Sequence, residues 1–301
     1  MRIVTNPGSN LDEATTLRLG VDVVPQKIVV DGIPHDTRGT IDFAQVDSWV
    51  KRASKPAFVQ GTTEPEFVDY FTRLLQKERD AEILVVMTSR DLIGSHDAAV
   101  SAVAKLRQST DPFLQSARIE IVDSRVTDVG AGLITLVAVE ARKAGLSLAD
   151  AATLCRKFAE RGKNVFSVAT LDNLVKGGRA SAVQGFVANF LNIRPLLSIE
   201  KGAIASVGRI SSKADMGQKL AEALADRVDP QPVWVAIAHG NCADKAEALS
   251  ARLKERYQVE FALVRPLSAS IYLHVGPGGL VAFVYPLNGL PLRLPVPRLG
   301  G

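Results

Sequence analysis

Short β-branched runs alternate with longer amphipathic stretches through the first half of the chain. Arg2–Thr5 reads as a strand, and a helical pattern follows near Leu11–Leu19. Val21–Pro25 and Lys27–Val30 are strand-like, with Asp31-Gly32 as a turn signal. Apolar residues then recur at helical spacing over Asp42–Arg52 and Pro65–Lys77. Glu82–Thr88 is an unbroken apolar run of buried-strand length, and Ser95–Leu106 is helical. Arg118–Val122 reads as a strand and Asp128–Lys143 as a helix. Strands apolar on both faces, each followed by a helix, predict a parallel sheet covered on both sides.

After Gly145 the rhythm changes. The helix predicted over Leu148–Gly162 starts with Ser147 three residues before Asp150, a capping spacing. Asn164–Ala169 reads as a strand and Gln184–Asn192 as a helix. Leu196–Glu200 and Ala203–Gly208 flank Lys201-Gly202 and predict a hairpin. Ala214–Arg227 and Ala243–Tyr257 are helical, while Val233–His239, Glu260–Val264 and Val281–Tyr285 are strand-like. A hairpin in this half predicts a mixed sheet. The fold class is α/β with two domains, residues 1–160 on a largely parallel sheet flanked by helices and residues 161–301 on a mixed one. No Pro/Gly/Ser linker marks the boundary near residues 155–165, and no internal repeat is evident.

Composition narrows the function classes. A chain of 301 residues exceeds one ordinary core, and 47% hydrophobic with 23% charged residues is a globular mix. Lys plus Arg number 36 against 32 Asp plus Glu, a net +4 with the signs interspersed. That disfavours nucleic acid as a partner, and the short basic stretch near the C-terminus reads as a tail. Two cysteines, Cys155 and Cys242, are too few for a disulfide scaffold or structural zinc site. Cys155 falls in a helical pattern, where a thiol acts as a small buried hydrophobe. The opening residues contain no apolar signal core, and the longest apolar runs are strand-length, so a cytoplasmic location is the expectation.

Five places depart from plain packing logic. Thr5-Asn6-Pro7-Gly8-Ser9 follows the first strand, at the edge where parallel sheets bind ligands, and also suits a turn in which Ser9 or Asn10 caps the next helix. Gly61-Thr62-Thr63-Glu64-Pro65-Glu66 fits a capping box from Thr63 to Glu66, and equally a pair of hydroxyls meeting an anion at a helix start. Thr88 to His96 contains Gly94, whose lack of a side chain lets backbone approach a ligand. Lys176-Gly177-Gly178-Arg179 offers a guanidinium that either faces solvent or grips a carboxylate or phosphate. His274-Val275-Gly276-Pro277-Gly278 puts a histidine at the start of a Gly/Pro-rich loop, and His239 at another strand end is a weaker candidate. There is no nucleotide-binding glycine motif, no metal-ligand cluster and no nucleophile elbow. This inventory suits anion binding better than bond making.

Taken in order, Ile3-Val-Thr-Asn-Pro-Gly-Ser-Asn-Leu, Thr62-Thr-Glu-Pro, Thr88-Ser-Arg-Asp-Leu-Ile-Gly-Ser, Ile121-Val-Asp-Ser, Lys176-Gly-Gly-Arg and His274-Val-Gly-Pro-Gly resemble the DegV family of bacterial fatty-acid-binding proteins. The resemblance runs over nearly the whole chain. It implies an acyl chain buried in a tunnel within the first domain, with its carboxylate near the domain junction and the second domain closing over it. Carried over residue by residue, it implies carboxylate contacts from Thr62, Thr63, Gly94, Ser95, Arg179 and His274. Asn6, Ser9, Ile93 and Val275 become tunnel or loop contacts. The chain departs from the pattern at four of these: Ile93 replaces a serine, Ser95 and Val275 stand where the family has threonine, and Asn6 where it has aspartate.

The implied function is non-enzymatic. A long-chain fatty acid such as palmitate or oleate would be the ligand, with no metal and no other cofactor. Its carboxylate would be presented to a fatty-acid kinase, and transient contact with a membrane surface would serve lipid exchange. Two alternatives remain at this stage. One is a kinase or phosphotransferase subunit related to dihydroxyacetone kinase, using His239 or His274. The other is a hydrolase using Ser89 or Ser95 with His96 or His274.

Overall fold

The computed structural model describes residues 1–39, 41–177, 193–290 and 295–297. The predicted helix over Gln184–Asn192, Arg179 and part of the basic tail lie outside the described residues.

The first half is built on four parallel strands, β1 (Arg2–Thr5), β2 (Val21–Val23), β6 (Glu82–Met87) and β7 (Arg118–Asp123), in the order β2-β1-β6-β7. Ile3, Leu84 and Val86 face one core, while Val4, Ile83, Val85 and Met87 face another. This two-sided burial explains the unbroken apolar run of β6. Helices α3 (Glu64–Lys77) and α4 (Ser95–Arg107) cover the second face. Phe67, Phe71 and Leu75, four residues apart, form the buried stripe of α3.

Helices α6 (Asp128–Lys143) and α7 (Leu148–Arg161) cover the other face, and they also cover the sheet of the second half. That sheet has the order β10-β9-β8-β13-β11-β12: β8 (Lys163–Ser167), β9 (Ile193–Glu200), β10 (Ala203–Ser211), β11 (Pro232–His239), β12 (Gln258–Pro266) and β13 (Leu280–Pro286). All its neighbours are antiparallel except β11 and β12, so it is mixed, as the hairpin predicted. Helices α9 (Met216–Ala225) and α10 (Ala243–Arg256) close its outer face. The molecule is thus five layers, with α6 and α7 between two sheets.

The middle layer explains why α6 carries few polar residues. Almost all of it, Asp128 through Ala141, is buried. Gly130 lets it nest against the second sheet, because a Cβ there would lie 2.4 Å from the Phe283 ring. Phe158 of α7 stacks on Tyr285 at 4.5 Å and meets Trp234 edge-on at 5.6 Å. Cys155 is fully buried in this layer, and burial pushes its thiol up to about 12.

A third, small sheet was not foreseen. Strands β3 (Lys27–Val30), β4 (Ile33–Asp36) and β5 (Phe58–Gln60) pair antiparallel in the order β4-β3-β5. With α2 (Phe43–Arg52) they form a flap beside the first sheet. Two further differences concern helix starts. The turn after β1 is a 3-10 turn over Pro7–Ser9, so α1 (Glu13–Leu19) begins later and is capped by Asp12, not Ser9 or Asn10. His274 does not open a loop: it lies in the last turn of α11 (Ala269–Val275).

Candidate ligand-binding site

The loops after β1, β6 and β7 meet at the carboxyl edge of the first sheet, and hydrogen bonds tie them together. Asn6 Nδ2 donates to Thr88 Oγ1 at 3.1 Å, and the Ser89 N–H donates to the Val126 carbonyl at 2.8 Å. The second half reaches the same edge. The Ser89 hydroxyl donates to the Gly202 carbonyl at 2.7 Å, in the turn between β9 and β10.

Asp128 pins the two halves here. Its Oδ1 accepts from Asn10 Nδ2 and from the Val129 N–H, both at 2.9 Å. Its Oδ2 accepts from the N–H and the hydroxyl of Ser268, both at 3.0 Å. Burial pushes this carboxyl above the ordinary range, against the downward pull of those donors. Ser268 is the residue before α11, so Asp128 sets where α11 begins and hence where His274 lies. The flap holds the same helix from the other side. Phe43 of α2 stacks on Tyr272 at 3.8 Å, and the Tyr272 hydroxyl donates to Asp47 at 3.2 Å.

Between these elements lies an apolar cavity of about 130 Å³, roughly tenfold what one water needs. From the first half and the flap it is lined by Phe58, Val59, Leu92 and Ile93. Phe166, Ile199, Ile271, Val275, Val281 and Phe283 line it from the second half. The polar part of the wall includes Gln26, Thr88, Thr127, Asp128, Ser270 and His274. Phe58 is 53% exposed and marks the side open to solvent. The wall is shared by both halves.

The predicted residues differ in their place around this cavity. Ile93, His274 and Val275 line the cavity. Thr62, Ser95 and Gly94 stand immediately behind Ile93: the Thr62 N–H donates to Ser95 Oγ at 3.1 Å, and a Cβ on Gly61 would lie 3.1 Å from the Ile93 side chain. The Thr62 hydroxyl is given to the Pro25 carbonyl. Thr63 adopts the capping arrangement, giving its N–H and its hydroxyl to Glu66 at 2.8 and 2.9 Å. Asn6 and Ser9 are buried in the wall behind Gly8, which does line the cavity. Of the residues from Lys176 to Arg179, the structure describes Lys176 and Gly177. A Cβ on Gly177 would fall 2.1 Å from His274 Nδ1, so glycine is what lets the backbone here press on the imidazole.

Other candidates lie elsewhere. His239 accepts the Cys242 N–H at 3.2 Å, and burial lowers its pKa; it is absent from the cavity wall. His96 pairs with Asp97 at 2.9 Å. Among the described residues no cluster of three side chains could hold a metal ion, and no helix is long and apolar enough to cross a membrane. The sequence reading missed Gln26, Thr127, Asp128 and Ser270. Gln26 had a visible signal, an uncharged polar residue wedged between two apolar strands.

The family model described as an uncharacterised protein of the DegV family matches residues 1–287. The chain belongs to the DegV family. A DegV relative in Thermotoga maritima, named fatty acid-binding protein, is 30% identical over 269 residues, covering 84% of this chain and 89% of its own length. A DegV family protein from Thermus thermophilus, described for its fatty acid binding, has the same fold at a TM-score of 0.83 and 25% identity, covering 95% of this chain and 100% of its own. The Streptococcus pneumoniae Fatty Acid Kinase B3 protein, loaded with linoleic acid, shares the fold at a TM-score of 0.79 and 21% identity, over 94% of this chain and 98% of its own.

Proposed function

We propose that this DegV protein binds one long-chain fatty acid, such as palmitate or oleate, in the cavity between its halves, and presents the carboxylate to a fatty-acid kinase. The observation that carries this reading is the cavity itself, an apolar space with His274 in one wall and the start of α4 behind another. Burying about 14 methylenes at ~0.8 kcal/mol each gives a gross gain near 11 kcal/mol, before ordering costs. A carboxylate drawn into the same space is costly unless it is paired.

The donors that would pair it are the His274 imidazole, the Ser95 hydroxyl and the N–H groups of Gly94 and Ser95 at the positive end of α4. Arg179, two residues after Gly177 in the sequence, would add a guanidinium. Thr62 acts through Ser95, and Thr63 through the cap that fixes α3. Ile93 and Val275 are wall contacts, and Asn6 and Ser9 support the loop that carries Gly8. The protein supplies binding and orientation, and the kinase supplies the chemistry. The exposed Phe58 offers an apolar edge for brief contact with a membrane surface during exchange in the cytoplasm.

Native mass spectrometry, followed by titration of the delipidated protein with palmitate and oleate, tests the reading. A co-purified acyl chain or tight binding of either acid is expected. Arg179→Ala or His274→Ala should each weaken binding by about 1–3 kcal/mol through an underpaired head group. Absence of both retained lipid and added-acid binding would reject the proposal. Acyl phosphate should form only with kinase, ATP and the loaded protein together.

A further inference from the structure

The cavity wall holds a carboxamide that its surroundings do not satisfy. Gln26 is 3% exposed and lines the cavity, and its Oε1 is buried with no hydrogen-bond partner among the described residues. Asn6, which gives its Nδ2–H to Thr88, likewise keeps a buried Oδ1 without a partner among the described residues. The two oxygens converge on one place. A Cβ built on Gly8 would lie 3.3 Å from Asn6 Oδ1 and 3.4 Å from Gln26 Oε1. The backbone beneath Gln26 is fixed, because its carbonyl accepts both the N–H and the hydroxyl of Thr37 at 2.8 Å.

A plain alkyl chain passing this wall leaves a buried amide unserved, which is costly. A hydroxyl serves it whichever way round the carboxamide lies, since it both donates and accepts. The location along the ligand follows from the neighbours. Gln26 directly follows Pro25, whose carbonyl takes the Thr62 hydroxyl, and the Thr62 N–H donates to Ser95. Gln26 also lines the same cavity as Ile93 and His274, so the amide shares the space in which the carboxylate would be paired.

We infer that the preferred ligand carries a hydroxyl close to its carboxylate, as a 2- or 3-hydroxy fatty acid does, and that Gln26 reads it. This rests on the fatty-acid reading above and specifies its ligand. The glycerol hydroxyls of a monoacylglycerol offer the same group near an acyl carbonyl. They lack the carboxylate that His274 and the start of α4 would pair, so the free hydroxy acid is the ligand chosen.

The test is calorimetric titration of the delipidated protein with palmitate, 3-hydroxypalmitate, 16-hydroxypalmitate and monopalmitoylglycerol. 3-Hydroxypalmitate should bind about tenfold more tightly than palmitate, the size of one net hydrogen bond. 16-Hydroxypalmitate should bind more weakly than palmitate. Gln26→Leu should invert the order, binding palmitate more tightly and 3-hydroxypalmitate less. Gln26→Met, similar in length, should do the same, and the ligand-free variants should melt at or above the wild-type temperature because an unpaired amide is gone.

Palmitate binding without preference for the 3-hydroxy acid, as when water alone serves the amide, overturns this inference and leaves the fatty-acid reading standing. Failure of all three acids to bind overturns both. Tighter binding of monopalmitoylglycerol than of 3-hydroxypalmitate overturns the choice of a hydroxy acid. A folded Gln26→Leu protein that loses palmitate as well would make Gln26 a general head-group contact and overturn its role as a reader of the hydroxyl.

Discussion

The central helices and the flap both cover the space between the sheets, but they are held in place very differently. Helix α6 is buried almost throughout and α7 buries one face beside it, where Phe158 lies against Tyr285 and Trp234. The flap is thin, with Ile33 and Phe58 largely exposed. It buries Ile28, Val46 and Ala57 in the core, and the Phe43–Tyr272 stack, the Tyr272–Asp47 hydrogen bond and the Lys27–Glu66 ion pair hold its edges. Local opening free energy follows buried apolar contact. The cavity thus has one wall that is a layer lying between both sheets and another, the flap, whose outer side is open to solvent.

The largest expected effect lies in the rigid wall. Phe158→Ala should cost about 3–5 kcal/mol of global stability, read as a lowered urea midpoint. A change below 1 kcal/mol would show that the middle layer is not the rigid element.

Tyr272→Phe should act on the flap. Loss of its hydrogen bond to Asp47 is worth about 1 kcal/mol. Faster amide exchange confined to α2, with a barely altered urea midpoint, is the expected pattern. Equal acceleration throughout the molecule would erase the distinction between the walls.

Glu66→Gln gives the smallest effect and the clearest pH signature. Burial raises the Glu66 carboxyl, but Lys27 and Thr63 pull it below the ordinary range by a larger net amount. A lowered carboxyl contributes stability above its unfolded pKa and loses it as pH falls through the folded one. The side chains are 30% exposed, so the pair is worth under ~1 kcal/mol. The gap between wild type and variant should therefore be present at neutral pH and close as the pH drops below about 4. A gap that widens in acid would contradict the assignment.

The same contrast explains what the sequence could tell. The strand Glu82–Met87 was legible because burial on both faces demands an unbroken apolar run, and α6 was legible from end to end. The flap strand Ile33–Asp36 has a largely exposed pattern and Phe58–Gln60 spans three residues, so neither leaves a periodic signature. Helix α11 was hidden for a different reason. It is short, runs into Gly276 and Pro277, and is held by Asp128, far away in the chain.

The site divides in the same way. Ile93, His274 and Val275 were marked by loop chemistry and motif. Phe166, Ile199 and Phe283 were not, since an apolar residue facing a cavity and one facing a core look alike in sequence. Thr63 shows the reverse ambiguity: spacing alone suggested a helix cap, and its hydroxyl and N–H are indeed committed to Glu66.

The shared helical layer has a consequence for synthesis. Helix α6 leaves the ribosome long before the strands β11 and β13, so its greasy side must wait uncovered while the rest of the polypeptide is made. Neither half, released separately, would have a complete interior to fold around, because α6 and α7 belong to the core of both.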